Sequence, residues 1–361
     1  MSAPPRLTAP QTLRAGPVSL RWSPRTAVVT LIAGLAALGA AILSLGIGEI
    51  TVSPGRVLAT LLGTGTAEED LVVLTLRLNR TLLGLLVGAM LALSGAIVQT
   101  TTRNGLASPD LLGVTAGAGT GAVAVIVLGG TGAAASAMPT LLTGLGTSVA
   151  AVVGGLLAAL TVTAILRIAT GGGLQMLLIG VGTSALFSGL TSWMLITASI
   201  DEAARANMWL AGSLNGRGPV EVVLAALTLL IVAAVLVPLS TRIPGLHLGA
   251  DLASALGQDV RRSRGGLLLI AVVLASVASA VAGPIGFVAL VAPHIAHRAA
   301  RAPRPPLAAS ALIGAAIVLG SDLLARTLAS PILLPTGAIT AVVGAPFLIW
   351  LLVRQGKDTL R

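Results

Sequence analysis

Charged residues are rare in this chain, so the few that cluster mark the places where chemistry could occur. The stretch 243–265, IPGLHLGADLASALGQDVRRSRG, gathers two aspartates and three arginines among small and apolar residues. This pattern is typical of a short polar helix, which could nest in a groove of another chain or lie solvated beside a membrane. We call this stretch the polar segment.

Two histidines, His294 and His297, are spaced i,i+3 in the run PHIAH. On a helix this spacing brings both imidazoles to one face, where they could bind a metal ion. No acidic third ligand lies nearby in the sequence, and the pair adjoins Arg298. We therefore favour a structural or interfacial role over a metal site, and we expect no bound metal.

The motifs of the common enzyme classes are absent from the sequence. There is no Cys and no G-x-S-x-G run, so thiol nucleophiles, thiolate metal sites and the serine hydrolase elbow are excluded. A phosphate-binding loop needs a Lys followed by Ser or Thr, yet the sole Lys357 precedes Asp358. We expect no enzymatic activity and no bound cofactor. If ATP drives this protein, another chain uses the ATP and Mg²⁺.

Asp322 and Arg326 are the ionisable residues that come nearest to the interior of an apolar run. Their i,i+4 spacing suits an ion pair within one helix, while a functional role for buried ionisable residues is equally open. A proton-driven secondary transporter would need an essential buried carboxylate, for which Asp322 is the candidate. That class of transporter is one alternative function, and a structural membrane scaffold is another.

The elements that must hold these residues are membrane-spanning helices. Hydrophobic residues make up 55% of the 361 residues and charged residues only 9%, unlike soluble domains. Charge-free windows long enough to cross a bilayer recur along the chain. They predict an all-α, polytopic membrane protein. We expect ten spans, near residues 27–47, 81–102, 111–128, 140–166, 174–199, 220–240, 265–282, a short one before 297, 306–326 and 337–353.

Basic residues indicate the orientation of these spans. If the N-terminus is cytoplasmic, sixteen of the 22 Lys and Arg residues fall in cytoplasmic segments, as the positive-inside rule requires. Residues 1–26 are then a cytoplasmic arm, which we expect to be disordered, 27–353 a single transmembrane domain, and 354–361 a cytoplasmic tail. Nucleic acid is excluded as a partner because the basic residues are dispersed and aromatic residues make up only 2%.

Glycines repeat at intervals of four residues in two spans. Gly113, Gly117 and Gly121 share one face of the third span, and Gly84 and Gly88 share a face of the second. A face without side chains lets another backbone approach closely, so these glycines predict tight helix packing.

Three separate blocks of the sequence resemble one family. They are LRLNRTLLGLLVGAMLALSGAIVQTTTRNGLASPDLLGVTAGAGTGA (76–122), AGPIGFVALVAPHIAHR (282–298) and LPTGAITAVVGAPFLIWLLV (334–353). Together they are similar to the signature regions of the FecCD-type permeases, the membrane subunits of ABC importers for ferric siderophores, haem and vitamin B12. The resemblance covers nearly the whole chain in order and leaves out only the first 25 residues.

The resemblance implies a type II ABC importer fold in a bacterial cell membrane. The implied partners are membrane lipid, a second permease subunit, two cytoplasmic ATPases and an extracytoplasmic binding protein. A ferric siderophore is the implied cargo, with vitamin B12 or haem as the alternative. The run WLAGSLNGRG (209–218) resembles the ferric-catecholate branch more than the B12 branch. Because members of that branch often pair with a different permease, a heterodimer is favoured over a homodimer.

The resemblance also implies a role for the polar segment. In this family the loop between helices six and seven sits in a cleft on the ATPase, and residues 243–264 match that coupling loop. A merely solvated loop is the alternative. The implied contact residues are Gly249, Asp251, Ala253, Leu256, Gly257 and Arg261.

Two further sites follow from the resemblance. The transport path would be lined by helices five and ten. A cytoplasmic gate would lie at the turn before helix five, although this turn could instead be merely flexible. The implied gate residues are Gly171, Gly172, Gly173, Leu174 and Gln175. The binding protein would dock on Arg77, Arg80 and Arg326, which could steer acidic residues of that partner. Alternatively, Arg77 and Arg80 could anchor their helix at the membrane headgroups, and Arg326 could only pair with Asp322.

Overall fold

The computed structural model describes residues 11–15, 18–48, 50–129, 140–168, 173–239, 260–329 and 332–359. Thirteen α-helices lie in these ranges. They are α1 Pro24–Gly46, α2 Pro54–Leu61, α3 Ala67–Asp70, α4 Leu78–Thr102, α5 Val114–Leu128, α6 Thr140–Ile168, α7 Gly173–Thr197, α8 Ile200–Leu210, α9 Pro219–Leu239, α10 Val260–Ala282, α11 Val288–Ala300, α12 Leu307–Thr327 and α13 Thr336–Thr359.

The predicted helical membrane fold is confirmed. Each of the ten predicted spans contains one helix within the described residues, and seven of the helices are long and apolar enough to cross a membrane. The short eighth span is α11, whose 13 residues cannot cross a bilayer alone. It follows a break at Gly283, where φ is +73° and a side chain would meet the Trp209 carbonyl oxygen at 2.6 Å. Glycine fits there because it has no Cβ.

The described part of the N-terminal arm contains a β-hairpin, and disorder of the remainder stays a prediction. Strands β1, Gln11–Ala15, and β2, Val18–Trp22, pair antiparallel with Leu13 opposite Leu20. Helix α1 begins directly afterwards, because the Ser23 hydroxyl accepts the Thr26 backbone N–H and Pro24 occupies the first turn. Apolar and polar residues alternate from Thr12 to Ala15 and from Val18 to Trp22, which is the pattern of a hairpin.

The centre of the bundle is α4, which packs against α12, α10 and α11. At its crossing with α12, a methyl group on Gly88 would overlap the Gly314 carbonyl oxygen and lie 2.7 Å from the Ala315 Cα. Helices α5 and α6 cross in the same way, with Gly117 against Gly154. The predicted close approach of backbones is therefore confirmed at these crossings. Gly113 instead has a positive φ of +72° and precedes α5.

The bundle has two polar ends. At the end where α1 begins, the Arg25 Nε donates to the Ala299 carbonyl oxygen of α11 at 2.9 Å. We call this end, which also holds the end of α13, the terminal face. At the other end the Arg326 Nη2 of α12 donates to the Ser44 Oγ near the end of α1 at 2.8 Å. We call that end the opposite face.

Candidate functional site

The strongest polar cluster among the described residues surrounds Asp322 at the opposite face. Its carboxylate is fully buried. The Arg80 Nη2 of α4 donates to Asp322 Oδ1 at 2.8 Å, and the Arg80 Nε lies 3.0 Å from Oδ2. The Arg326 Nε lies 3.2 Å from Oδ2, and the Thr336 hydroxyl at the start of α13 donates to Oδ1 at 2.9 Å. The predicted i,i+4 ion pair is confirmed, and a second guanidinium joins it.

The arginines of this cluster also fasten the end of α1. The Arg326 Nη1 donates to the Ile47 carbonyl oxygen at 3.3 Å. The Arg77 Nη1 donates to the Leu45 and Gly46 carbonyl oxygens at 2.9 and 3.1 Å. The last carbonyl groups of a helix have no partner within the helix. The two guanidinium groups therefore supply donors to the carbonyl groups at the end of α1, of which Gly46 also accepts the Val52 N–H.

This arrangement holds helices together and offers little chemistry. Both oxygens of Asp322 accept hydrogen bonds from charged or hydroxyl donors, and the carboxylate has no exposed surface. It forms an ion pair with each of two largely buried guanidinium groups. The geometry therefore supports a positioning role for Asp322 over the proton-carrying role of a secondary transporter.

The three arginines predicted to dock a binding protein all lie in or beside this cluster. Residue Arg77 is only 9% exposed, and the side chains of Arg80 and Arg326 are 11% and 8% exposed. Their guanidinium groups already have partners within the chain. At the exposed edge of the cluster, the Arg80 Nη1 donates to the exposed Asn215 Oδ1 at 3.0 Å. Docking on these arginines stays a prediction, and any docking contact would compete with these internal partners.

Helix α8 presents more exposed charges at the same face. It begins with a capping box, in which the Ser199 N–H donates to Glu202 Oε2 at 3.0 Å and the Glu202 N–H donates to the Ser199 hydroxyl. The hydrogen bond from the Ser199 backbone holds the pKa of Glu202 below its usual value. Asp201 and Arg205 of α8 are exposed. The sequence did not distinguish Arg205 from the buried arginines, because counting charges does not reveal where a side chain points.

The predicted coupling residues lie mostly outside the described residues. Gly249, Asp251, Ala253, Leu256 and Gly257 fall there. Arg261 lies in the first turn of α10, which begins at Val260, so the end of the polar segment continues directly into a span. The Arg264 Nη2 donates to the Thr101 carbonyl oxygen at the end of α4 at 3.1 Å. This contact fixes the start of α10 beside α4.

The predicted gate is only partly described. Gly171 and Gly172 lie outside the described residues, whereas Gly173, Leu174 and Gln175 form the first turn of α7. Farther along α7, more than half of residues 178–197 are exposed. In α13 the side chains of Val342 and Val343 are 70% and 54% exposed. Both helices expected to line a path thus have apolar faces that nothing in the described chain covers.

The histidine pair lies at the terminal face. The His294 ring packs edge-to-face against the Phe347 ring of α13, with centroids 6.0 Å apart. Within the described ranges, no group of three or more His, Cys, Asp or Glu residues is placed to hold a metal ion. The ring contact supports the structural role that we favoured for His294.

Residues 35–354 match the FecCD transport family. The chain is 37% identical over 340 residues to the ferric enterobactin transport system permease protein FepG of Escherichia coli K12, covering 93% of this chain and 98% of that protein. It is 36% identical to the achromobactin transport system permease protein CbrC of Dickeya dadantii, covering 89% and 90%. A solved metal-chelate type ABC transporter in an inward-facing conformation has a TM-score of 0.77 at 27% identity, covering 91% of this chain and 99% of that chain.

The Asp322 cluster yields the first prediction. Replacing Asp322→Asn leaves two buried guanidinium groups without their counter-charge, which should lower the free energy of unfolding by about 3–5 kcal/mol. The measurement is unfolding of the detergent-solubilised chain in SDS. The control is Asp201→Asn, an equally conservative change at an exposed site, which should stay within about 0.5 kcal/mol of the unchanged protein. Equal stability of the two variants would contradict a structural role for the cluster.

Proposed function

The chain belongs to the FecCD transport family, and from that premise we propose that it is the permease subunit of an ATP-driven importer of ferric siderophores. The observation that carries the proposal is the 37% identity to a ferric enterobactin permease over nearly the full length of both chains. The ten helices at the predicted spans support the same conclusion. The proposed cargo is an iron–siderophore complex, which is a substrate and not a resident cofactor.

We place the source of energy in another chain. The sequence has no phosphate-binding loop, and the buried carboxylate of Asp322 is committed to two arginines and a threonine. ATP and Mg²⁺ would bind to two ATPase subunits at the terminal face, which is cytoplasmic in this proposal. The excess of Arg and Lys in the segments on that side supports the orientation.

The polar segment is the proposed contact with the ATPase. It leads into α10, whose first turns are held against the end of α4 by the hydrogen bond from Arg264 to Thr101. A push on the segment would therefore reach α4, the central helix of the bundle, through one short connection. The small residues Gly249, Ala253 and Gly257 would let a groove on the ATPase close around it.

A second permease subunit would complete the transport path. The uncovered apolar faces of α7 and α13 support this, because long exposed apolar surfaces need lipid or protein to cover them. We propose that these faces meet their counterparts across a central path, in a heterodimer, and that the turn before α7 forms the cytoplasmic gate. The extracytoplasmic binding protein would dock on the opposite face, near Arg80 and its neighbours.

Reconstitution tests the proposed function. The tagged chain, produced with its partner permease, should retain a stoichiometric ATPase whose hydrolysis rises when loaded binding protein is added. Vesicles containing this complex should accumulate a radioactive ferric catecholate only when ATP is supplied to the ATPase. Uptake driven by a proton gradient without the ATPase would contradict the proposal, and preferential uptake of cobalamin would contradict the siderophore cargo.

Substitutions in the polar segment test the coupling role. Gly257→Trp should reduce co-purification of the ATPase by about tenfold or more, because a bulky ring cannot enter a packed groove. The permease itself should stay folded. Gly55→Trp is the control, because a side chain at Gly55 in α2 meets no atom within 4 Å. If Gly257→Trp assembles and transports as well as Gly55→Trp, the segment is not the coupling element.

Docking on the opposite face needs a test that separates charge from stability. Arg80→Gln removes the most accessible of the predicted docking charges, and Thr336→Val loosens the same cluster without changing charge. Only Arg80→Gln should slow association with the binding protein, by about two- to fivefold. The loss should shrink as salt screens the attraction. Equal, salt-independent losses in both variants would leave Arg80 with a structural role alone.

A further inference from the structure

A short 3₁₀ turn, Pro109–Leu112, connects the end of α4 to α5 at the terminal face. We call it the linking turn. The chain between α4 and this turn is held by Asn104, whose N–H donates to the Gln99 carbonyl oxygen at 3.2 Å and whose carbonyl oxygen accepts the Ala107 N–H at 3.1 Å. The linking turn is thus joined to the end of α4 by a short connection that has its own hydrogen bonds.

The linking turn meets α7 backbone to backbone. A methyl group on Gly180 of α7 would overlap the Leu111 carbonyl oxygen, so no side chain fits between the two. At the residue after the linking turn, a side chain on Gly113 would lie 3.3 Å from the methyl group of Thr183, one turn farther along α7. Two positions of the linking region therefore contact the same stretch of α7.

The linking turn also packs together with α10. Leu112 belongs to an apolar cluster that includes Val272 and Ala275 of α10, and Ile179 of α7 packs against this cluster. The polar segment leads directly into α10, and the hydrogen bond from Arg264 holds the early turns of that helix against the end of α4. Contacts from α4, α10 and α7 therefore converge on the linking turn.

This contact lies close to the proposed gate. Gly180 follows Gln175, in the first turns of α7, by about 8 Å along the helix axis at 1.5 Å per residue. A second contact of α7, in which the Thr191 hydroxyl lies 2.9 Å from the Thr120 hydroxyl of α5, is farther from the gate. Closely packed atoms are hardly compressible, so a displacement of the linking turn would also displace the gate end of α7.

We propose that Gly180 is a positioning residue for transport, because its contact with Leu111 carries movement of the polar segment to the gate. The linking turn receives the displacement from α10 and the end of α4 and passes it to α7. Asp110 keeps the turn in place, since its carboxylate accepts the hydrogen bond from the Thr115 hydroxyl in the first turn of α5. The inference rests on the proposed transport function and extends it to a defined contact.

The number of ferric catecholate molecules taken up per ATP hydrolysed, measured in vesicles containing the whole complex, tests this contact. Gly180→Ala separates the linking turn from α7. The variant should still assemble with the ATPase and hydrolyse ATP as the unchanged protein does, while uptake per ATP should fall by about tenfold. Gly182→Ala is the matched control, because a side chain at Gly182 in the same helix meets no atom within 4 Å, and it should keep the normal ratio.

A second pair of variants separates coupling from stability. If Gly180→Ala is less stable to heat than Gly182→Ala, Thr115→Val provides the test, because it removes the hydrogen bond to Asp110 and should also lower uptake per ATP. Its control is Thr163→Val, since the Thr163 hydroxyl donates to the Ala159 carbonyl oxygen of its own helix.

Two results would overturn the inference while leaving the proposed function intact. One is a normal ratio of uptake to hydrolysis in both Gly180→Ala and Thr115→Val. The other is a loss of hydrolysis and uptake in equal proportion, which would give the contact a role in assembly alone. If the unchanged protein and Gly182→Ala both fail to take up cargo with ATP, the proposed function is wrong, and this inference falls with it.

Discussion

The burial of one carboxylate organises the opposite face. Asp322 is inaccessible to solvent, and an isolated charge in that position would cost several kcal/mol. The chain offsets the cost by bringing Arg80 from α4, Arg326 from the next turn of α12, and the Thr336 hydroxyl from the start of α13. Because Arg326 also binds the carbonyl groups that end α1, the hydrogen-bond network around this one charge joins four helices.

The two ends of the bundle consequently differ in how they are held. At the opposite face the Gly337 N–H, in the first turn of α13, donates to the Gly212 carbonyl oxygen at 3.0 Å, close to where Thr336 binds Asp322. The start of α13 is thus anchored twice, while its later turns carry the exposed Val342 and Val343. Those later turns also contact α11, through the Phe347 ring against His294, so the helix is held at both ends and uncovered along one side. This is a suitable property for a helix that we propose to line a transport path.

Sequence reasoning predicted contacts within one helix and missed contacts between distant ones. The ten spans were predictable because apolar, charge-free windows mark the segments that a bilayer can hold. The Asp322–Arg326 pair was predictable from its i,i+4 spacing. The partnership of Arg80 with Asp322 joins residues 242 positions apart, and no local pattern encodes it. For the same reason, no sequence pattern predicted that Arg298 lies over the Trp350 ring. Charge counting assigned Arg77 to a loop end but could not indicate that its side chain folds inward onto α1.

The distribution of charge also bears on whether this chain or another protein supplies the energy for transport. A chain that drives its own conformational change by titration needs a buried ionisable group whose partners change between states. In the part of this chain that the structure describes, the fully buried carboxylate has four donors within hydrogen-bonding or ion-pair distance, contributed by three elements. Releasing it would remove the hydrogen bond from Thr336 and leave Arg80 and Arg326 without their counter-charge, at a cost in stability. We propose that the force comes from another protein and enters through the connection from the polar segment by way of Arg264 to the end of α4.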